Sequence, residues 1–153
     1  MARISKDNYY LGIALAVSKR STCLKRHYGC VIVNHDEIVA TGYNGSPRGE
    51  SNCCDIGICK REDSERYSNY TECRSVHAEQ NALISASRKE VYGGTAYLAC
   101  ESFNQTSQDP WDKYYFTKWL VDDKPVPCPI CERMLRNAGI KRVVNSNGET
   151  IWE

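Results

Sequence analysis

Two short runs carry residue types that can do chemistry together: His77-Ala78-Glu79 and Pro127-Cys128-Pro129-Ile130-Cys131. Cysteines at i and i+3 in a first helical turn put both sulfurs on one face. Pro129 is tolerated there because first-turn amides have no intrahelical acceptor. A helix N-terminus favours thiolate over thiol, and thiolate is the form that binds a metal ion. His77 supplies an imidazole as third ligand. Three protein ligands leave a tetrahedral zinc one open position, the layout of a catalytic rather than a structural site. Two thiolates and a neutral imidazole cancel the charge of zinc, so a base close by is useful. Glu79 stands two residues past His77 and leaves the helix at a different angle, able to act as that base without taking a coordination place. A lone C-x-x-C is more often half of a structural site. The competing reading is therefore a structural zinc beside an accidental histidine.

These residues need elements that bring two helix starts together. Ala78, Ala82, Leu83 and Ala86 predict a helix over about 77–89, stopped by Gly93-Gly94. Another helix opens at Cys128 and ends near Asn137-Ala138-Gly139, where Gly139 suits a C-cap. Tyr10, Ile13, Ala14 and Val17 predict an earlier helix over 6–20. Tyr28 to Asn34 reads as a strand, His35-Asp36 as a turn and Glu37 to Thr41 as the returning strand of a hairpin. Gly42 to Gly49 reads as a loop, and residues 50–76 show no period. Thr95 to Cys100 and Lys141 to Asn145 read as strands, Asn147-Gly148 as a turn, and Thr150 to Trp152 as a short pairing segment. The order α-β-β-α-β-α-β predicts an α/β sandwich.

The 153 residues fit one domain, 1–153. An apolar fraction of 41% and a charged fraction of 25% are ordinary for a globular fold. With 20 basic and 19 acidic residues the net charge is +1, which removes any overall attraction to nucleic acid or an anionic membrane. A small anionic substrate needs only a local cluster. The apolar run Leu11 to Val17 is too short to span a bilayer and is followed by no cleavage pattern, so a cytoplasmic setting is expected. Nine cysteines are many for a reducing compartment, and metal binding is the leading explanation for several of them. Cys30 and Cys100 fall in predicted strands and read as small buried hydrophobes.

The H-x-E and P-C-x-x-C pair resembles the signature of the zinc nucleobase and nucleotide deaminases. Further runs are similar to deoxycytidylate deaminases: Ser21-Thr22-Cys23, Gly29-Cys30-Val31-Ile32-Val33, Gly42-Tyr43-Asn44-Gly45-Ser46-Pro47 and His77-Ala78-Glu79-Gln80-Asn81-Ala82. The resemblance covers about residues 5–100 and 127–144. It implies a three-layer α/β/α sandwich around a mixed sheet, a Zn2+ cofactor, and hydrolytic deamination of deoxycytidylate to deoxyuridylate and ammonia. Glu79 would then move protons from the attacking water to the ring nitrogen and the leaving ammonia. Asn44 falls where the family sets an asparagine against sugar or base; alternatively it stabilises its own turn. Arg26, beside Lys25 and His27, resembles a position that contacts the 5′-phosphate, and Arg48 is a weaker phosphate candidate. A homo-oligomer, hexameric in many relatives, is implied, and nucleoside triphosphate effectors are left open.

Some phage relatives bind a structural zinc through cysteines matching Cys23 and Cys53. Their remaining histidine and glutamate have no counterpart here, and Ser75 takes the glutamate's place. Cys59 and Cys73 lie in the same region, so a four-cysteine site from Cys23, Cys53, Cys59 and Cys73 is expected, with Cys54 an alternative to Cys53. Lys25, Arg26, Lys60, Arg61 and Arg74 offer the cations that four thiolates need. Residues 101–126 depart from the family pattern as an insertion with Trp111, Tyr114, Tyr115, Phe116 and Trp119. This segment is expected to act as a lid or an oligomer contact, with a short helix over Tyr114 to Trp119. Three functional classes remain at this stage: a deoxycytidylate deaminase, a deaminase of another cytosine compound (deoxycytidine triphosphate, deoxycytidine or cytidylate), and a zinc-stapled binding module without catalysis.

Overall fold

Strand β1 (Arg26–Asn34) is the spine of the sheet, and its continuous apolar run marks a strand covered on both faces. In this computed structural model the described residues are 2–61, 64, 68–103, 119–121, 125–146, 148 and 150–153. β1 turns back through His35 and Asp36, whose φ values of 50° and 60° suit a two-residue hairpin turn, into β2 (Glu37–Tyr43). On its other edge β1 pairs antiparallel with β3 (Thr95–Phe103), from Arg26 opposite Ser102 to Val33 opposite Thr95. The far edge of β3 is shared. β4 (Trp119–Val121) runs antiparallel along its C-terminal end, and β5 (Arg142–Asn145) runs parallel along its N-terminal half. β6 (Thr150–Trp152) closes the order β2-β1-β3-β5-β6. The sheet is mixed, as expected.

Helices cover both faces. α1 (Lys6–Ser18) is started by Ser5, whose Oγ accepts from the Asn8 amide at 3.1 Å. It lays Tyr10, Leu11 and Ala14 on Val31, Val33, Tyr97, Ala99 and Val144. Ile13 and Val17, expected on the buried stripe, are its half-buried flanks. The opposite face carries α3 (Ala78–Ile84), α4 (Arg88–Val91) and α5 (Pro129–Asn137). Their Ala78, Ala82, Val91 and Leu135 meet Cys30, Ile32, Ala96, Leu98 and Val143. Alternate residues of one strand thus feed two cores, and the three-layer α/β/α sandwich is the observed fold. Each fully buried Ile or Leu contributes roughly 1.5–3 kcal/mol by leaving water. Cys30 and Cys100 are buried in the sheet.

The structure corrects several boundaries. The helix expected over 77–89 is two helices. Ser87 Oγ accepts the Glu90 amide and Glu90 Oε2 accepts the Ser87 amide, and that capping box starts α4 afresh. β2 runs on through Gly42 and Tyr43, which were expected to begin a loop. Gly42 is needed for packing: a Cβ there would lie 2.3 Å from the Ala78 carbonyl oxygen and 2.4 Å from the Ala82 amide nitrogen. Gly29 in β1 likewise admits α1, at 2.0 Å from Ala14 O. A short helix, α2 (Cys53–Ile56), stands in the stretch that has no sequence period. Within 101–126, β3 continues to Phe103 and Trp119 begins β4, so Trp119 is not helical. Trp111 and Tyr114 to Phe116 lie outside the described residues. Of the expected Asn147-Gly148 turn, Gly148 is described, at φ 72°. No helix among the described residues is long and apolar enough to cross a membrane.

Candidate active site

The two chemical runs meet as two helix starts. His77 is the N-cap of α3, with its amide donating to Gln80 Oε1 at 2.9 Å. Cys128 is the N-cap of α5, and its Sγ accepts the Cys131 amide at 3.4 Å. Pro129 occupies the first turn of α5, where it was expected. The helices are tied side by side by Gln80 Nε2 on Met134 Sδ at 3.7 Å. Both positive helix ends therefore face one point.

At that point His77 Nδ1 lies 3.5 Å from Cys128 Sγ and 3.3 Å from Cys131 Sγ. All three ligand atoms fall within 4.8 Å of one another, and no other such group occurs among the described residues. A tetrahedral zinc with ordinary bond lengths would set nitrogen and sulfur about 3.6 Å apart. The donor set, one imidazole and two sulfurs, also suits zinc. The trio is already polarised. Bonds to Cys131 and His77 hold the Cys128 thiol down at about 3. The contact with Cys128 in turn pushes Cys131 up, and draws His77 up against the effect of burial.

Glu79 is 4% exposed and lies near Cys30 on the sheet. Burial raises its carboxyl above the usual range, and the neighbouring His77 opposes that rise. A cavity of about 320 Å³ opens above these groups, lined by His77, Glu79 and Cys128 and also by Lys25, Arg26 and Asn44.

Asn44 is 6% exposed and works hard within the chain. Its Oδ1 accepts from Ser21 Oγ (2.6 Å) and the Tyr28 amide (2.8 Å), and its Nδ2 donates to Arg26 O (2.9 Å). It braces its loop, as one of the two readings has it, and it also lines the cavity. Gly45 pairs with Val76 through two backbone bonds, so this loop is held directly beside His77. Arg26 lines the cavity and donates to Tyr28 OH at 3.3 Å. Arg48 is exposed and is not part of the lining.

Cys23, Cys59 and Cys73 line the same cavity. Burial pushes the Cys23 thiol up, and the charges of Cys59 and Cys73 add to the shift. Cys53 is raised by burial and then by Cys23, Cys73 and Cys59, whereas Cys54 is exposed. The four expected cysteines are neighbours, with Cys53 rather than Cys54 turned to the group. Among the described residues they do not close to the 4.8 Å spacing of the His77 trio. Among the lining residues that sequence reasoning did not take as site candidates are Arg61 and Tyr70. Arg61 was noted only as a counter-charge, and Tyr70 sits in a stretch without periodicity.

Residues 4–147 match the family described as the cytidine and deoxycytidylate deaminase zinc-binding region. The deoxycytidylate deaminase of Schizosaccharomyces pombe is 36% identical over 93% of this chain, which spans only 37% of that protein's length. The deoxycytidylate deaminase of Mycobacterium phage D29 is 32% identical, with 94% of this chain matched to 96% of that one. A crystal structure of dCMP deaminase from cyanophage S-TIM5, in complex with dCMP and dUMP, superimposes with a TM-score of 0.61 at 25% identity. That superposition covers 94% of this chain and 83% of the cyanophage chain. Sequence match, fold and the convergence of His77, Cys128 and Cys131 agree: the chain belongs to the cytidine and deoxycytidylate deaminase family.

Proposed function

We propose that the chain hydrolyses the exocyclic amine of deoxycytidylate, giving deoxyuridylate and ammonia. The observation that carries this reading is the imidazole and two sulfurs, 3.3 and 3.5 Å apart, with buried Glu79 in the same cavity. The choice of deoxycytidylate is supported by the relatives named above. Zinc held by His77 Nδ1, Cys128 Sγ and Cys131 Sγ would supply a Lewis acid at the cavity floor. Glu79 does the proton work. Its carboxylate takes a proton from the attacking water and passes it to the ring nitrogen; the second proton of that water then goes to the departing amine. Water supplies the oxygen that replaces nitrogen, so the exchange balances. Asn44 acts toward substrate as a donor, because its Oδ1 already accepts two bonds. Arg26 serves the phosphate.

Replacing Glu79 by Gln is expected to cut turnover by about 10²- to 10⁴-fold while leaving zinc content unchanged. Undiminished ammonia release from the zinc-loaded variant would sink this reading.

We read Cys23, Cys53, Cys59 and Cys73 as a second, structural zinc site. Their mutual charge effects and the nearby cations Lys25 and Arg61 support it. Two zinc ions per chain are expected, and one would refute the site. Exposed Ile84 and Tyr92, at 75% and 70%, support assembly into a homo-oligomer. Cysteines read as metal ligands rather than as disulfides favour the cytoplasm.

A further inference from the structure

His77 and Cys131 each have a companion three residues further along the chain, Gln80 and Met134, and the two companions touch. Positions i and i+3 share a helix face, so the pair stands on the flank where the ligand atoms meet. The Gln80 amide is engaged at both ends. The His77 N–H can only donate, so their bond of 2.9 Å turns Gln80 Oε1 toward it. Nε2 then faces α5, where it donates to Met134 Sδ at 3.7 Å. One side chain thus holds the backbone of the imidazole ligand and reaches the helix that begins at the two sulfurs. Beyond the site residues themselves, this is the one hydrogen bond between α3 and α5 among the described residues. The two helices have seven and nine residues, too few to persist alone in water. Their shared core, Ala78 and Ala82 with Leu135, is apolar and carries no direction.

We propose that Gln80 is a positioning residue for the metal site: it fixes the spacing of His77 from Cys128 and Cys131 before the ion arrives. This rests on the zinc reading above. The ligand atoms stand 3.3 and 3.5 Å apart while the Gln80 amide is bonded at both ends. Released from Met134, the two helix starts sample wider separations. Only the fraction with the ligands together takes the ion, and affinity falls with that fraction.

The test is the zinc affinity of the purified full chain, read by competition with a chromogenic chelator. The ion of this site is the one that His77→Ala no longer holds. Met134→Leu keeps the volume and removes the acceptor; the bond lies near the surface, so a loss of about 3-fold is expected. Gln80→Leu removes both bonds and is expected to weaken the site by about 10-fold. The two effects should not multiply. In a Gln80→Leu chain, Met134→Leu has no further effect, because the bond it removes is already gone. Losses that multiply, or an unchanged affinity in either folded single variant, overturn the assignment. Met134→Leu decides the matter alone if Gln80→Leu does not fold. A chain that holds zinc in the expected pattern yet releases no ammonia would defeat the substrate reading alone. One that deaminates deoxycytidylate with every affinity unchanged would defeat the role of Gln80 alone.

Discussion

In the proposed reaction Glu79 carries the chemistry, because among the described residues it is the one carboxylate that lines the cavity with His77 and Cys128. Burial keeps its proton affinity above that of a surface glutamate, which favours taking a proton up. Glu79→Gln keeps the shape and removes the exchangeable proton, which is why metal content and turnover should separate. The site's metal ligands could be found in the sequence because their spacing states their geometry. Two N-cap positions, His77 and Cys128, place ligands at helix starts whatever the intervening chain does. Arg61 and Tyr70 could not be found in this way. They reach the cavity through a segment held by scattered bonds such as Lys25 Nζ to Arg61 O, and no periodicity records such bonds. The role of Asn44 was ambiguous for a related reason: an amide can brace a loop and face a ligand at once.

Among the elements, α3 matters most, since it carries both His77 and Glu79, and its seat depends on Gly42. The sequence presents Gly42 as a turn former, yet the strand continues through it and the absent side chain admits the helix backbone. Gly42→Ala should destabilise the fold by roughly 1–3 kcal/mol and lower activity with it, measured by urea unfolding and ammonia release. Gly12→Ala is the matched control. Gly12 lies inside α1 with nothing within 4 Å of its missing Cβ, so alanine there should stabilise by roughly 0.5–1 kcal/mol. Equal effects at the two positions would contradict the packing role. The break between α3 and α4 was hidden for a different reason. Its Ser87 to Glu90 capping signal is present in the sequence but overlaps the apolar stripe, and local capping won.

Across the whole molecule, Asp7 joins the first helix to the last third of the chain. Arg142 donates to both its oxygens at 2.9 and 2.6 Å, and Tyr97 OH donates to Oδ1 at 2.9 Å. The bond with Arg142 holds the Asp7 carboxyl below its ordinary 3.8 against the cost of burial. A depressed carboxylate stabilises the fold fully above its ordinary value, and the contribution is lost as pH falls through the lowered one. Asp7→Asn should therefore cost about 1–2 kcal/mol near neutrality, with the gap to wild type closing in acid, followed by circular dichroism. A gap independent of pH would contradict it. The sandwich itself was legible because apolar strands separated by helices admit few layer arrangements, whereas Asp7 with Arg142 pairs residues whose partnership only the closed sheet creates. The direct measurement of the reaction is ammonia release by zinc-replete protein from deoxycytidylate, beside deoxycytidine triphosphate, deoxycytidine and cytidylate. The expected result is release with a clear preference for deoxycytidylate; zinc-loaded protein that releases none from any of the four would contradict the account.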